Sequence, residues 1–118
     1  MLKRTVRASL LAIALGWSLL GGAQIPVPPL TERVTDQASL LTAEQKASLE
    51  QKLRAFQARK GSQLAVLIVP TTAPETIEQY ALRVAEQWKL GRKKVDDGAL
   101  LLIAKTDRAL RIEVGYGL

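Results

Sequence analysis

The stretch Val95–Leu118, VDDGALLLIAKTDRALRIEVGYGL, decides the fold. Its acidic turn, DDG at 96–98, leads into Ala99–Ala104, which is wholly apolar and predicts a buried strand. A tight turn follows at 105–108. In Ala109–Val114 the apolar side chains alternate with Arg111 and Glu113, which predicts a half-buried edge strand antiparallel to its predecessor.

Two helices and one further strand precede this stretch. The helices are predicted at 43–60 and 77–90, and the apolar run Gln63–Val69 predicts a strand between them that is buried on both faces. Thr42 and Thr76 each stand three residues before a Gln, the pattern of a capping box at the start of a helix. Gly61 and Gly91 are typical of helix ends, where glycine adopts the left-handed conformation.

A strand, a helix and a strand in this order form a βαβ unit with parallel strands and a right-handed crossover. The sequence therefore predicts the α/β class. We expect a small sandwich with a mixed sheet of three strands, built on one βαβ unit plus an antiparallel edge strand, with the helices packed on the sheet. Two helices do not easily cover both faces of a sheet. We therefore expect residues 34–118 to form an α/β domain that is C-terminally incomplete.

The first 23 residues have the three-part pattern of a secretory signal peptide. Lys3, Arg4 and Arg7 precede the apolar run Ala8–Leu20, and small residues at 21–23 suit cleavage before Gln24. The alternative is an uncleaved N-terminal anchor. The length of the apolar run argues against it, because the run is shorter than the ~20 residues of a membrane-spanning helix. Residues 24–33 form a Pro-rich leader, expected to space the domain from the cleavage site or the membrane. The chain is thus predicted to be exported, and to be periplasmic, extracellular or membrane-associated.

Composition excludes several classes of site. The chain has no His and no Cys, so serine–histidine and cysteine–histidine catalysis, disulfides and His-ligated zinc are excluded. The net charge of +6 includes three charges of the predicted signal peptide, so the folded part is only modestly basic. Aromatic residues make up 4% of the chain, too few for base-stacking platforms, and we expect no nucleic acid partner. The glycines at 115 and 117 lack the Gly-Lys-Ser/Thr of a P-loop, and we expect no organic cofactor.

These parts, in this order, resemble the TPM-domain family, also described as YgcG-like, which consists of exported or membrane-tethered α/β domains of bacteria and plastids. The matching segments run from Val34 to Leu118 and are VTDQASLLT, LAVLIV, TIEQYALRVAEQWKLG, DDGALLLIA and RIEVGYGL. In the family an acidic residue and further helices usually follow the Gly-Tyr-Gly-Leu stretch. The resemblance therefore implies a member that is truncated after Leu118.

Asp96 and Asp97 are the candidate metal ligands, because adjacent carboxylates at the mouth of a strand can bind a hard cation such as Ca²⁺ or Mg²⁺. The alternative is a simple helix-to-strand turn, which the residues alone favour. The resemblance implies calcium, since family members have been described with calcium near this turn and a further carboxylate beyond Leu118. Asp36 is a possible additional ligand, although a local turn is the favoured interpretation.

Other polar groups near the turn have weaker patterns. Arg92, Lys93 and Lys94 can hold an anionic substrate or a lipid headgroup, but three charges on a loop are more typical of a solvated surface. Tyr116 can lend a hydroxyl to the site, or simply end a strand. Tyr80 and Trp88 belong to the apolar stripe of the second helix and are predicted to be core residues.

Three functions are open at this point. The first is an exported accessory module that binds a divalent cation and acts on a membrane-associated protein, as relatives do in photosystem II repair and receptor modulation. The second is a metal-assisted phosphatase, an activity attributed to some family members, with Asp97 and the basic loop at the phosphate. The sequence shows no nucleophile–base pair, so enzymatic activity stays undecided. The third is a non-functional fragment of a longer TPM protein.

Overall fold

A computed structural model describes residues 23–115 and 117, which form one four-stranded sheet and two helices. The elements are β1 (Val34–Asp36), α1 (Ala43–Lys60), β2 (Gln63–Val69), α2 (Ile77–Trp88), β3 (Gly98–Ala104) and β4 (Ala109–Val114). Strands β1, β2 and β3 are parallel neighbours, and β4 is antiparallel to β3. The predicted α/β class and mixed sheet are confirmed. Residues 1–22 of the predicted signal peptide lie outside the described residues, among which no helix is suited to crossing a membrane.

Strand β1 makes the sheet one strand wider than predicted and adds a second parallel βαβ unit. It pairs with Val66–Ile68 of β2, and Val34 is fully buried. Helix α1 fixes its start, because Glu50 Oε1 accepts hydrogen bonds from the backbone N–H groups of Arg33 and Val34 at 2.6 and 3.0 Å. The prediction of three strands was wrong because a three-residue strand is too short to show a periodicity in the sequence.

The helix starts agree with the sequence, but one helix end does not. Thr42 and Gln45 form the predicted capping box, and Gly61 ends α1 in the left-handed conformation with φ 80°. Helix α2 ends at Trp88, and Lys89 adopts the left-handed conformation with φ 49°. The N–H of Lys89 donates to the Ala85 carbonyl at 3.0 Å and so closes the last turn. The prediction that Gly91 closes this helix was therefore wrong by two residues.

The two helices lie on opposite faces of the sheet and bury two separate clusters. Helix α2 and the facing strands form the larger cluster: Ala65, Leu67, Val69, Tyr80, Ala81, Val84, Trp88, Leu100, Leu102 and Ala104. On the other face, Leu49 and Leu53 of α1 pack against Val34, Val66 and Ile68. Helix α1 therefore covers β1 and β2, and no α1 side chain is fully buried.

Strand β4 is the predicted edge strand, and its apolar side chains face outward. Leu110, Ile112 and Val114 are 60, 57 and 55% exposed, whereas Arg111 and Glu113 lie on the face that α2 covers. The exposed face continues onto β3, where every second residue is only partly buried. The prediction of a β3 strand buried in the sheet therefore holds for one face. The other face of β4 is exposed, whereas on β3 Leu101 and Ile103 are partly covered by packing against the cluster at Val34, Val66 and Ile68.

The Pro-rich leader packs on α2. Ile25, Val27 and Leu30 contact the larger cluster. Three α2 side chains donate to leader carbonyls: Arg83 Nη2 to Ile25 at 2.7 Å, Tyr80 Oη to Pro26 at 3.3 Å and Trp88 Nε1 to Pro28 at 2.7 Å. Burial raises the pKa of Tyr80, so its hydroxyl stays protonated as a donor. Tyr80 and Trp88 are thus core residues, as predicted, and they also hold the leader.

Candidate functional site

Asp97 is the buried half of the acidic turn that connects α2 to β3. Its side chain is 2% exposed. Oδ1 accepts a hydrogen bond from the backbone N–H of Arg92 at 2.8 Å. Oδ2 accepts hydrogen bonds from the Nε and Nη2 atoms of the Arg92 guanidinium at 2.9 and 2.8 Å. One carboxylate therefore closes the loop at 92–97 through both the main chain and the side chain of Arg92.

The charge state of Asp97 follows from the same contacts. The backbone N–H of Arg92 and then its guanidinium hold the pKa of this carboxyl below its usual value, although burial acts in the opposite direction. Asp97 is thus an anion whose two oxygens are already engaged by a neighbouring cation. This arrangement makes it a structural residue of the turn.

Asp96 is exposed and adopts the left-handed conformation with φ 52°. Its backbone N–H donates to the Arg92 carbonyl at 2.8 Å, and its carbonyl accepts the N–H of Gly117 at 2.9 Å. The surrounding backbones approach very closely: a Cβ at Gly98 would overlap Leu90, and one at Gly115 would overlap the carbonyl of Asp96. Glycine at these two positions therefore lets the loop lie directly against the ends of β3 and β4.

A cavity of about 490 Å³ lies between α2 and the ends of β3 and β4, beside this turn. Asp96 lines it together with Glu86, Lys89 and Glu113, and apolar side chains complete its wall. Asp96 thus shares the wall of this cavity with two acidic residues, Glu86 and Glu113, that the sequence did not single out. Glu86 belongs to the polar side of α2, and Glu113 alternates along β4, so neither pattern differs from that of an ordinary surface residue.

The acidic turn fits a divalent cation only in part. Calcium takes 6–8 oxygen ligands. In the part of the chain that the structure describes, no group of three or more acidic, Cys or His side chains is arranged to hold a metal ion. Asp97 is engaged by Arg92, and Asp96 is an exposed residue on the wall of the cavity. Asp96 and Asp97 are adjacent in the sequence, but Asp97 is buried in the turn and only Asp96 is exposed on the cavity wall.

Asp36 lies far from the acidic turn. In the pairing of the parallel strands it aligns with Ile103, five residues along β3 from Gly98, which corresponds to ~16 Å. Its Oδ1 accepts the N–H groups of Ala38 and Leu40, and its Oδ2 accepts that of Leu41 at 2.8 Å. The favoured interpretation of Asp36 as a local turn residue is confirmed.

The basic loop at 92–94, next to the acidic turn, is exposed. The side chain of Arg92 is 59% exposed even though its guanidinium pairs with Asp97. Lys93 and Lys94 are exposed. Tyr116, for which a hydroxyl at the site and a simple strand end were the two alternatives, lies outside the described residues.

A family model described as the TPM domain, and labelled TPM phosphatase, matches residues 34–118. The chain belongs to the TPM-domain family. This assignment confirms the resemblance drawn from the ordered segments of the sequence. It covers the sheet, both helices and the acidic turn, so the cavity belongs to the part of the chain that the family shares.

Two solved structures are similar to this TPM domain. The solution NMR structure of the N-terminal domain of a protein from P. gingivalis has 35% sequence identity and a TM-score of 0.67, covering 75% of this chain and 56% of that one. The N-terminal domain of the cg2496 protein from Corynebacterium glutamicum has 11% identity and a TM-score of 0.63, covering 82% and 64%. At that identity the second similarity shows the fold alone. No curated protein sequence matches the chain.

Proposed function

We propose that this TPM domain is an exported accessory module that binds a divalent cation, Ca²⁺ or Mg²⁺, and acts on a membrane-associated protein. The observation that carries the proposal is the position of Asp96, an exposed carboxylate on the wall of a cavity that Glu86 and Glu113 also line. Export rests on the predicted signal peptide. The role as an accessory module, and not as an enzyme, rests on the lack of a nucleophile–base pair in the sequence.

In this proposal the two aspartates have different roles. Asp96 is the ligand, because carboxylate oxygen is what hard cations prefer. Asp97 is a positioning residue, because its bonds to Arg92 fix the turn that carries Asp96. The described residues supply only part of a coordination shell, so water or a second protein provides the rest. A shell completed by a partner makes the association dependent on the cation.

A thermal melt followed by far-UV circular dichroism tests cation binding, with millimolar Ca²⁺, with millimolar Mg²⁺ and with chelator. We expect the ion to raise the midpoint of the wild type, because an ion that binds only the native state stabilises it. Asp96→Asn removes the ligand charge and should abolish the shift. Glu44→Gln removes an exposed carboxylate from the first turn of α1 and should leave the shift unchanged. A wild type insensitive to both ions, or an equal shift in Asp96→Asn, contradicts the proposal.

The partner is tested by recovering a tagged chain from solubilised membranes of the producing cells. The same membrane protein should be recovered with the wild type in Ca²⁺, and it should be lost with chelator and with Asp96→Asn. Equal recovery in all three conditions would mean that the cation has no part in the association. Recovery of no membrane protein in Ca²⁺ would contradict the accessory role itself.

A metal-assisted phosphatase is the second candidate, supported by the label of the family model and by Lys89, a basic residue that lines the same cavity as Asp96. A cation near a carboxylate-held metal is the arrangement that stabilises a transferring phosphoryl group. Hydrolysis of p-nitrophenyl phosphate with added Mg²⁺ or Ca²⁺ tests it. Activity that is lost in both Asp96→Asn and Lys89→Ala supports the phosphatase, and a wild type without metal-dependent hydrolysis contradicts it.

A further inference from the structure

Strand β4 forms an edge of the sheet whose protection against further pairing is limited to the inward-facing charges of Arg111 and Glu113. Among the described residues, no strand lies on its outer side. It contains neither Pro nor Lys, and it pairs with β3 without a bulge. Natural edge strands are commonly protected from further pairing by one of these devices. Its exposed side chains, at 110, 112 and 114, are all apolar.

The hydrogen-bond phase of the β3–β4 ladder shows which backbone groups face outward. The N–H of Gly115 donates to the Gly98 carbonyl at 2.8 Å, so these two residues form a hydrogen-bonded pair. Such pairs alternate along an antiparallel ladder. Arg111 and Glu113 therefore direct their N–H and C=O groups at β3. The N–H and C=O groups of the intervening residues, Leu110, Ile112 and Val114, face away from the sheet.

We propose that β4 pairs with β4 of a second copy of this chain, antiparallel and about a two-fold axis at Ile112. In this register Ile112 pairs with Ile112, and Leu110 of one copy pairs with Val114 of the other. All of these pairs use outward-facing backbone groups, so they form hydrogen bonds that continue the sheet. The interface is isologous, as two-fold dimers require.

Charge selects this register. On the α2 side of the strand it places Arg111 of one copy opposite Glu113 of the other, twice, so that two residues already paired at 2.8 Å within each chain each gain a second partner of opposite charge. Moving the axis by one residue gives Arg111 opposite Arg111, or Glu113 opposite Glu113, and like charges directly opposite destabilise a strand pair. Moving the axis by half a residue places residues whose backbone N–H and C=O groups face outward opposite residues whose groups face β3. The hydrogen bonds between the two β4 strands then cannot form. Only the axis at Ile112 sets Arg111 opposite Glu113 and also keeps the hydrogen-bond phase.

The contact is short, so the dimer is expected to be weak and dependent on concentration. A pair of six-residue strands buries less than the roughly 1,200 Å² of a standard stable interface. The apolar side chains at 110, 112 and 114 contact their counterparts across the axis and add to the backbone bonds. The inference does not depend on the proposed cation site.

Cysteine crosslinking tests the pairing, because the chain contains no Cys and each introduced thiol is unique. In the Ile112→Cys variant the two Cα atoms lie about 5.5 Å apart across the axis, within reach of a short bis-thiosulfonate reagent. Leu110→Cys is the matched control on the same strand and face. Its two thiols are four residues apart along the strand, ~13 Å. We expect several-fold more covalent dimer from Ile112→Cys on a denaturing gel. Equal yields from both variants, or no dimer from Ile112→Cys, would overturn the proposal.

Charge reversal in the Ile112→Cys background tests the register separately. Arg111→Glu makes both cross-axis pairs acidic, and Glu113→Arg makes both basic, so each variant alone should crosslink several-fold less. A mixture of the two restores opposite charges across the axis, although each chain still carries like charges at 111 and 113. We expect the mixture to recover the dimer yield of the parent. If it does not, or if neither reversal lowers the yield, this register is wrong.

Discussion

Arg92 and Asp97 close the connection between α2 and β3 through one buried carboxylate, which accepts both the main-chain N–H and the guanidinium of Arg92. The consequence is a division within the acidic turn. Asp97 holds the loop, and Asp96 is left at the surface of the cavity. Two adjacent aspartates that are equivalent in the sequence therefore have different chemistry in the fold.

Asp97→Ala should lower the midpoint of thermal unfolding clearly. The substitution leaves the N–H of Arg92 without its acceptor and removes the contact that closes the loop. Lys93→Ala, at an exposed position of the same loop, should change the free energy of unfolding by no more than about 0.5 kcal/mol. Circular dichroism melts of the two variants check this. Equal midpoints would show that Asp97 does not hold the turn.

Glu50→Ala should cost about 1–3 kcal/mol of unfolding free energy, because it leaves the N–H groups of Arg33 and Val34 without their acceptor at a buried strand. The matched change is Arg54→Ala, which removes only the exposed ion pair with Glu50 and should cost about 0.3–0.5 kcal/mol. Urea denaturation of both variants gives the difference. A loss in Arg54→Ala as large as that in Glu50→Ala would assign the effect to the ion pair.

Stability should decrease in acid through Asp36 and Asp97. Burial tends to raise the pKa of Asp36, but the N–H groups of Leu41, Leu40 and Ala38 and the charge of Lys105 together lower the pKa below the usual 3.8. The pKa of Asp97 is lowered as well. The folded chain therefore takes up these protons at a lower pH than the unfolded chain does. The stabilisation is complete well above pH 3.8 and is lost as the pH falls through 3.8 towards the folded values.

Urea midpoints measured from neutral pH to about pH 2 check this dependence. They should be flat above about pH 5 and decrease below it. Asp36→Asn removes one of the two groups and should make the acid decrease shallower. A curve that is unchanged in Asp36→Asn would mean that the loop at 38–41 does not depend on this carboxylate.

Trp88→Phe should loosen the leader. The change keeps an aromatic ring in the core but removes the N–H that donates to the Pro28 carbonyl at 2.7 Å. We expect a loss of at least about 1 kcal/mol, a midpoint lowered by roughly 4–8 °C, and faster amide hydrogen exchange at residues 25–30. Tyr80→Phe removes the longer bond to Pro26, 3.3 Å, and should have a smaller effect on exchange. Unchanged exchange in Trp88→Phe would contradict the role of its N–H.

The sequence predicted the elements whose signals are local. Thr42 and Gly61 delimit α1 because a capping box and a left-handed glycine act within a few residues of the helix. The long apolar run of β2 and the alternation of β4 were likewise sufficient to predict strands. The acidic turn was predicted as well, because Asp and Gly have intrinsic turn preferences.

The rest depends on contacts between distant parts of the chain. Strand β1 is held at its start by Glu50 of the next helix, which accepts hydrogen bonds from the backbone N–H groups of Arg33 and Val34. The exposed side of β4 could not be assigned, because alternation shows two faces but not which of them a helix covers. The engagement of Asp97 by Arg92 was missed for a different reason, since the loop conformation that brings them together depends on close backbone packing at Gly98 and Gly115.

For the export that we propose, the docked leader has a consequence for the order of events. Its first anchored residue, Ile25, lies only two positions after Ala23, where cleavage of the signal peptide is predicted. Proteases act most readily on poorly ordered chain segments, and a bound leader is not such a segment. Docking on α2 and peptidase access therefore compete for the same few residues. If the chain is exported and cleaved as proposed, removal of the predicted signal peptide is fastest while α2 is still unfolded, and slow folding favours complete processing.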